Sequence, residues 1–355
     1  MKDKAEGKGR PAKRGSRLWK LTKWLLGLLI VGAVVFFYGV VPWFLAGIAS
    51  TRRFHYRDPL DGKTPASYGM KYHDIEFKSS DGIDLKGWYA PAEGQAKGTI
   101  IYVHGYNRSR VEMLPDSVFG HGLGYNALLF DLRHQGASGG EVSTIGYQER
   151  LDVEAAAKYA LERENAARPV IAWGVSMGAA ASLEAAADSP DIAAVISDST
   201  FLNYQDMVYH HYYLFRSIAR SRGAWWFPPL PAFPIVNEVI FLATRRGNFD
   251  ADDFDLEKAV TKIGARPILF VGVEGDPRMP PEIARRLYGD AESELKDIVI
   301  VPGTRHGEGF TSGNRQYEEA VTEFLAGIQE KISRSATPGG PAKAAPKPKA
   351  NPARP

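Results

Sequence analysis

The chain of 355 residues contains no cysteine. A disulfide framework, a thiolate zinc site and a cysteine nucleophile are therefore excluded. It has no phosphate-binding P-loop and no His-Glu-x-x-His. His210 and His211 are adjacent, which is not a ligand spacing, so no metal and no other cofactor is expected. Gly120-His121-Gly122-Leu123-Gly124 precedes a strand-like run instead of linking a strand to a helix, and so lacks the dinucleotide context. Internal repeats are absent. The chain is also short of positive charge where it would matter. The formal net charge is +3, but residues 1–23 contribute +7 and the tail 335–355 contributes +4, which leaves residues 24–334 at −8. The basic ends, not the folded part, set the net sign, and nucleic acid is not an expected partner.

One stretch lacks charge altogether. From Trp24 to Thr51 no residue is charged, and LLGLLIVGAVVFFYGVVPWFLAGIA forms its centre. A run of this length can cross the hydrocarbon core as a helix. Trp19 and Trp24 flank one end, Trp43 and Phe44 the other, as interfacial aromatics do. Nine Lys/Arg precede the run, whereas Arg52, Arg53 and Arg57 follow it. That imbalance predicts a single-pass anchor with the N-terminus cytoplasmic and the remainder extracytoplasmic. A cleaved signal peptide is the competing reading, and Ala46-Gly47-Ile48-Ala49 offers small residues for it. The apolar run is too long for a signal-peptide core, so an uncleaved anchor is expected.

The segments then divide as follows. Residues 1–23 are a basic cytoplasmic segment, 24–50 the anchor, and 51–70 a linker with turn signals at Asp58-Pro59 and Asp61-Gly62. Residues 71–332 form the main domain. Residues 333–355 are a Pro/Ala/Lys-rich tail, expected to be disordered. Within the domain, HDIEFKS and IDLKGWYA flank Asp81-Gly82 as a hairpin. Short apolar strands follow at 98–105, 126–133, 170–176, 193–199, 267–276 and 297–303. Helical spacing appears near 109–121, 146–165, 177–188, 281–289 and 314–332. Apolar strands alternating with helices imply an α/β domain whose mostly parallel sheet is covered on both faces. Ligands bind such sheets at the carboxyl ends of the strands. Residues 200–262 break the alternation. They hold no clean strand and many aromatics, among them Phe201, Tyr204, Tyr209, Tyr212, Tyr213, Phe215, Trp225, Trp226 and Phe227. They read as a cap inserted above that edge.

Gly174-Val175-Ser176-Met177-Gly178 stands at a strand end and opens a helix. This is the layout of a nucleophile elbow, in which a strained turn projects the serine oxygen above the sheet. Residues two before and two after the serine must be small, and Gly174 and Gly178 are. The Met177 N–H lies at a helix N-terminus, where it favours developing negative charge. A serine hydroxyl needs a base, and the base an orienting carboxylate. Of eight histidines, His306 alone follows the last strand and precedes the last helix. Asp276 closes the strand before it. The order Ser176, Asp276, His306 is one that neighbouring strand ends can bring together. Asp198, at the end of the preceding strand, is the rival acid. The Tyr106 N–H in His104-Gly105-Tyr106 would supply the second oxyanion donor beside Met177. His104 itself reads as a packing residue beneath that loop. Asp131 reads as a loop stabiliser, Arg133 as half of an ion pair, and Glu308 as solvent-exposed.

The chain resembles the α/β-hydrolase superfamily, in particular its membrane-anchored, prolyl-oligopeptidase-related branch. HGYNRSR (104–110), DLRHQGASGG (131–140), GVSMG (174–178), SDST (197–200), VEGDPRMPP (273–281) and RHGEGF (305–310) carry the match over about residues 70–330. The resemblance implies a Ser-His-Asp hydrolase acting through an acyl-enzyme. Two departures are small. The strand before the acid ends in Gly272-Val273-Glu274-Gly275 where the family commonly has His-Gly, and Met279-Pro280 stands where Val-Pro often follows the acid. The expected substrate is a small-molecule or lipid ester, cleaved at a carboxylic ester bond. A peptidase or amidase on the same scaffold, and a non-catalytic membrane-tethered binding protein, are the other readings.

Overall fold

A computed structural model describes residues 15–51, 58–223, 231–310 and 315–336. The first fourteen residues, Arg52, Arg53 and Arg57 of the linker, Trp225, Trp226 and Phe227 of the insertion, and the tail from 337 lie outside the described residues. The described residues fall into two compact units, one drawn from residues 1–52 and 205–253, the other from residues 53–204 and 254–355.

The second unit is built on eight strands: β1 (His73–Lys78), β2 (Asp84–Ala90), β3 (Thr99–Val103), β4 (Asn126–Phe130), β5 (Val170–Val175), β6 (Ala194–Asp198), β7 (Ile268–Val273) and β8 (Lys296–Val301). Their spatial order is β1-β2-β4-β3-β5-β6-β7-β8. The β1–β2 and β2–β4 pairs are antiparallel and all later pairs parallel. Every residue of β3 to β7 is buried, because those strands have helices on both faces. At the margin, β1 alternates exposed and buried positions instead.

The helices of this unit are α3 (Leu114–Gly122), α4 (Glu149–Leu161), α5 (Met177–Asp188), α8 (Leu256–Ile263), α9 (Pro281–Asp290) and α10 (Arg315–Ala336). Residues 177–187 of α5 are all buried. Its alanines let the helix backbone lie close to the sheet without side chains to displace. In the core, Trp173 of β5 donates its indole N–H to the Tyr317 hydroxyl of α10 at 3.1 Å, and the two rings stack 6.1 Å apart. The stretch 200–262, expected as one insertion, is divided. Asp255 caps α8 by accepting from the Glu257 and Lys258 amides, and α8 packs on α5 and α9 in the sheet unit.

The first unit contains α1 (Gly15–Val35), a wider π turn at Phe36–Val40, α2 (Val41–Ser50), and α7 (Ala232–Gly247) together with most of α6 (Tyr204–Ser221). One helical stretch, Leu18–Ser50, is long and apolar enough to cross a membrane, with 33 residues at a mean hydropathy of 2.5.

Candidate active site

β5 runs straight into Ser176, and α5 begins at the next residue. Ser176 has φ 55° and ψ −117°. Side-chain-bearing residues rarely adopt such a conformation, and it costs on the order of 1–3 kcal/mol. Hydrogen bonds hold it there. The Ser176 amide donates to the Asp198 carbonyl at 2.8 Å, and its own carbonyl accepts from Ala180 at 3.1 Å. The flanking glycines have a steric origin. A Cβ on Gly174 would fall on the Gly178 carbonyl, and one on Gly178 would meet the Val103 carbonyl.

His306 lies in the loop between β8 and α10. Its Nε2 is 2.8 Å from Ser176 Oγ, and its Nδ1 is 2.6 Å from Asp276 Oδ2. Asp276, in the loop after β7, has a fully buried side chain, while that of His306 is 14% exposed. The other carboxylate oxygen of Asp276 accepts from the Arg278 and Met279 amides at 2.8 and 3.1 Å. Methionine in place of the family's usual valine leaves this backbone clamp intact. The acid and base loops are joined backbone to backbone: the Gly275 amide donates to the Gly303 carbonyl at 2.9 Å. A Cβ on Gly275 would stand 2.7 Å from that carbonyl, which accounts for the glycine.

The loop after β3 passes over the serine, with the Cβ position of Gly105 3.6 Å from Ser176 Cβ. His104 is fully buried beneath it. Its Nε2 accepts from the Leu132 amide at 3.0 Å, which makes Nδ1 the donor to the Gly105 carbonyl at 2.8 Å. The Gly105 amide is committed to Glu112 Oε2 at 2.7 Å. The next residue along is Tyr106, whose amide is the expected second oxyanion donor. Met177, the other expected donor, is the first residue of α5.

The remaining sequence candidates are placed as follows. Asp198 is buried, and its carboxylate accepts from the Ser199 hydroxyl at 2.7 Å. Burial raises its pKa to about 6. Asp131 accepts from the Arg110 and Ala137 amides, both at 2.7 Å, and so ties together the loops after β3 and β4. Arg133 makes an ion pair with buried Asp152 at 2.8 Å and a second with Asp81 at 2.6 Å. Glu308 does more than face solvent. It accepts from the Thr304 and Arg305 amides at 2.5 and 2.9 Å, folding the turn that carries His306. Those two backbone donors hold its carboxyl below the usual range.

Glu112 is a positioning residue that sequence reading missed. One of its oxygens holds Gly105 and the other pairs with Arg108 at 3.0 Å, while Arg108 also reaches Asp58 at 3.1 Å. Glu112→Ala frees the loop beside the serine, and a misplacement of about 1 Å at a reacting centre can cost about 100-fold. The expected result is a kcat lowered by about 10- to 100-fold at nearly constant KM. Glu112→Gln keeps an acceptor for the Gly105 amide and recovers most of the loss. Steady-state kinetics on the two variants separate this role from general destabilisation, which would not be rescued selectively in kcat.

A mostly parallel sheet, with an elbow serine at the carboxyl end of a central strand and an imidazole and a carboxylate from the next loops, defines an α/β-hydrolase architecture. The alpha/beta hydrolase family model matches residues 100–321, and the chain belongs to that family. It is 27% identical over 254 residues to the uncharacterized protein YqkD of Bacillus subtilis, covering 71% of this chain and 78% of that one. It is 24% identical over 268 residues to protein bem46 of Schizosaccharomyces pombe, covering 74% and 79%. In fold it is similar to an esterase of Pyrococcus furiosus, with a TM-score of 0.60 at 22% identity over 78% of this chain and 98% of the other.

Proposed function

We propose that this protein is a membrane-anchored serine hydrolase that cleaves carboxylic esters, with lipid or acyl esters as substrates. The observation that carries the reading is the hydrogen-bonded chain from Ser176 through His306 to Asp276 on a strained elbow. Ser176 Oγ attacks the ester carbonyl carbon as its proton passes to His306 Nε2. Asp276 holds Nδ1–H and stabilises the imidazolium. The carbonyl electron pair moves onto oxygen, where the Tyr106 and Met177 amides receive the negative charge. Each such donor is worth about 2.7–4 kcal/mol of barrier. The pair then returns, the C–O bond to the alcohol breaks, and Nε2–H protonates the leaving alkoxide. Water repeats the sequence on the acyl-enzyme, with His306 again as base, and frees the carboxylic acid and Ser176.

The ester assignment over an amide draws on the similar P. furiosus protein, which is an esterase. Leu18–Ser50 supports the anchor, and the nine basic residues before the apolar run support a cytoplasmic N-terminus with the hydrolase unit on the opposite side. The test is a p-nitrophenyl ester series of increasing acyl length, run beside peptide amides on the full chain in detergent. Ester hydrolysis is expected at least about 10⁶-fold above background, with a clear optimum in acyl length. Amide turnover exceeding ester turnover in kcat/KM would transfer the assignment to a peptidase. Absence of turnover on both would leave a binding protein.

A further inference from the structure

The candidate span is longer than a membrane needs. At 1.5 Å per residue its 33 residues measure about 50 Å, against a hydrocarbon core of about 30 Å. Its two parts differ in environment. Leu18–Val40 is exposed all round apart from a half-buried Phe37, and at about 34 Å it suffices to cross by itself. The remainder, α2, is packed against α7. It buries Pro42, Ala46 and Ser50, while α7 buries Ile235, Val239, Ala243 and Gly247. Both stripes repeat every fourth residue, and small residues in them allow close helix contact. The Arg246 guanidinium lies 5.6 Å from the Trp43 ring centre and donates to the Trp43 carbonyl at 3.2 Å. Tyr209 of α6 donates to Asn237 of α7 at 2.6 Å, so both insertion helices belong to this assembly.

The insertion exposes large apolar side chains where a water-facing cap would carry polar ones. Phe233 is 70% exposed and Phe241 55%, and Tyr213 and Phe215 are exposed on α6. Outside the candidate span, only Tyr68 and Ile332 among the described residues are comparable large hydrophobics. Exposed apolar groups concentrated in this way mark a binding surface. The charge points to its partner. Between Met207 and Phe249 the chain has five arginines, of which Arg246 is engaged at Trp43, and a single acid, Glu238. Asp206, Asp250, Asp252 and Asp253 bound the stretch and bring residues 205–253 to a net charge of zero, against −8 for residues 24–334.

We propose that α6 and α7 lie in the headgroup region of the same bilayer, with Phe233 and Phe241 inserted at the acyl boundary and Arg216, Arg220, Arg222 and Arg245 toward anionic headgroups. The insertion is thus a second, monotopic membrane contact. This rests on the reading of Leu18–Ser50 as a membrane-crossing helix. Such amphipathic elements sit about 5–10 Å into the headgroup–acyl boundary. The excess length of the span places them there: α7 is held by the part of the helix that the core does not require.

The cysteine-free chain makes the test direct. Phe233→Cys, Phe241→Cys, Leu28→Cys and Glu164→Cys are each introduced into the full chain and labelled with a nitroxide. The proteins are reconstituted in phosphatidylcholine vesicles with and without phosphatidylglycerol. Accessibility to oxygen against a water-soluble nickel chelate reports depth. Leu28 should read deep in the hydrocarbon and Glu164 aqueous. Positions 233 and 241 should read at the interface, and deeper with phosphatidylglycerol. Aqueous readings at both 233 and 241 with Leu28 deep overturn the inference and leave the anchor standing. An aqueous Leu28 overturns the anchor reading itself. Positions 233 and 241 at the interface but unchanged by phosphatidylglycerol retain the contact and remove the arginine–headgroup attraction.

Discussion

Ser176→Ala is expected to reduce ester turnover by about 10⁶-fold, the loss typical when the nucleophile of a triad is removed. Covalent labelling by a fluorophosphonate probe should vanish with it. Stability should move independently of activity. The Ser176 backbone is held at φ 55° and ψ −117° by amide and carbonyl bonds to Asp198 and Ala180. Alanine inherits the strain, whereas glycine adopts this region freely. Ser176→Gly should therefore be as inactive as Ser176→Ala yet melt at a higher temperature, by the equivalent of about 1 kcal/mol or more. Melting curves and probe labelling on the two variants check both halves. A variant without the hydroxyl that retained turnover would remove Ser176 from the chemistry. A Ser176→Gly melting point no higher than that of Ser176→Ala would mean that the elbow stores no strain.

How far this site was readable in advance depends on the kind of interaction. The elbow announces itself locally, because the steric demand falls on fixed offsets: Gly174 and Gly178 must be small for backbone reasons. The strands were legible because burial on both faces leaves β3 to β7 mainly apolar, with polar residues such as Thr99, Asn126 and Asp198 at their ends. His306 and Asp276 could be placed at strand ends by order alone. Glu112 and Glu308 could not. Each acts by accepting backbone amides in its own loop, and no spacing rule tells such a carboxylate from a solvated one until the loop conformation is known. The pairing of α2 with α7 was hidden for another reason. Within a uniformly apolar run, Pro42, Ala46 and Ser50 do not stand out as a face, since no polar residues mark the other side. For the acid, Asp276 was expected with Asp198 as its rival, because Asp198 closes β6, beside the strand of the serine, and Asp276 follows β7, one strand further on.

That choice makes the second large effect. Asp276→Asn should lower kcat by about 10⁴-fold, because the amide no longer accepts the imidazole Nδ1–H and favours the wrong tautomer. Asp198→Asn should leave kcat within a few-fold, since His306 Nδ1 is 2.6 Å from Asp276 and the Asp198 carboxylate takes the Ser199 hydroxyl instead. Its signature lies in the pH dependence of stability. Burial raises the Asp198 pKa from the model-compound value of 3.8 to about 6. The folded protein thus keeps a proton that the unfolded chain has already lost. The corresponding stability is fully present below pH 3.8, is lost as pH rises toward about 6, and stays lost above it. Asparagine cannot ionise, so Asp198→Asn should gain stability relative to wild type as pH rises through that window, with the difference constant beyond it. Thermal unfolding of both proteins from pH 4 to 8, beside kcat at neutral pH, separates the two aspartates. A 10⁴-fold kinetic loss in Asp198→Asn with an active Asp276→Asn would exchange their roles.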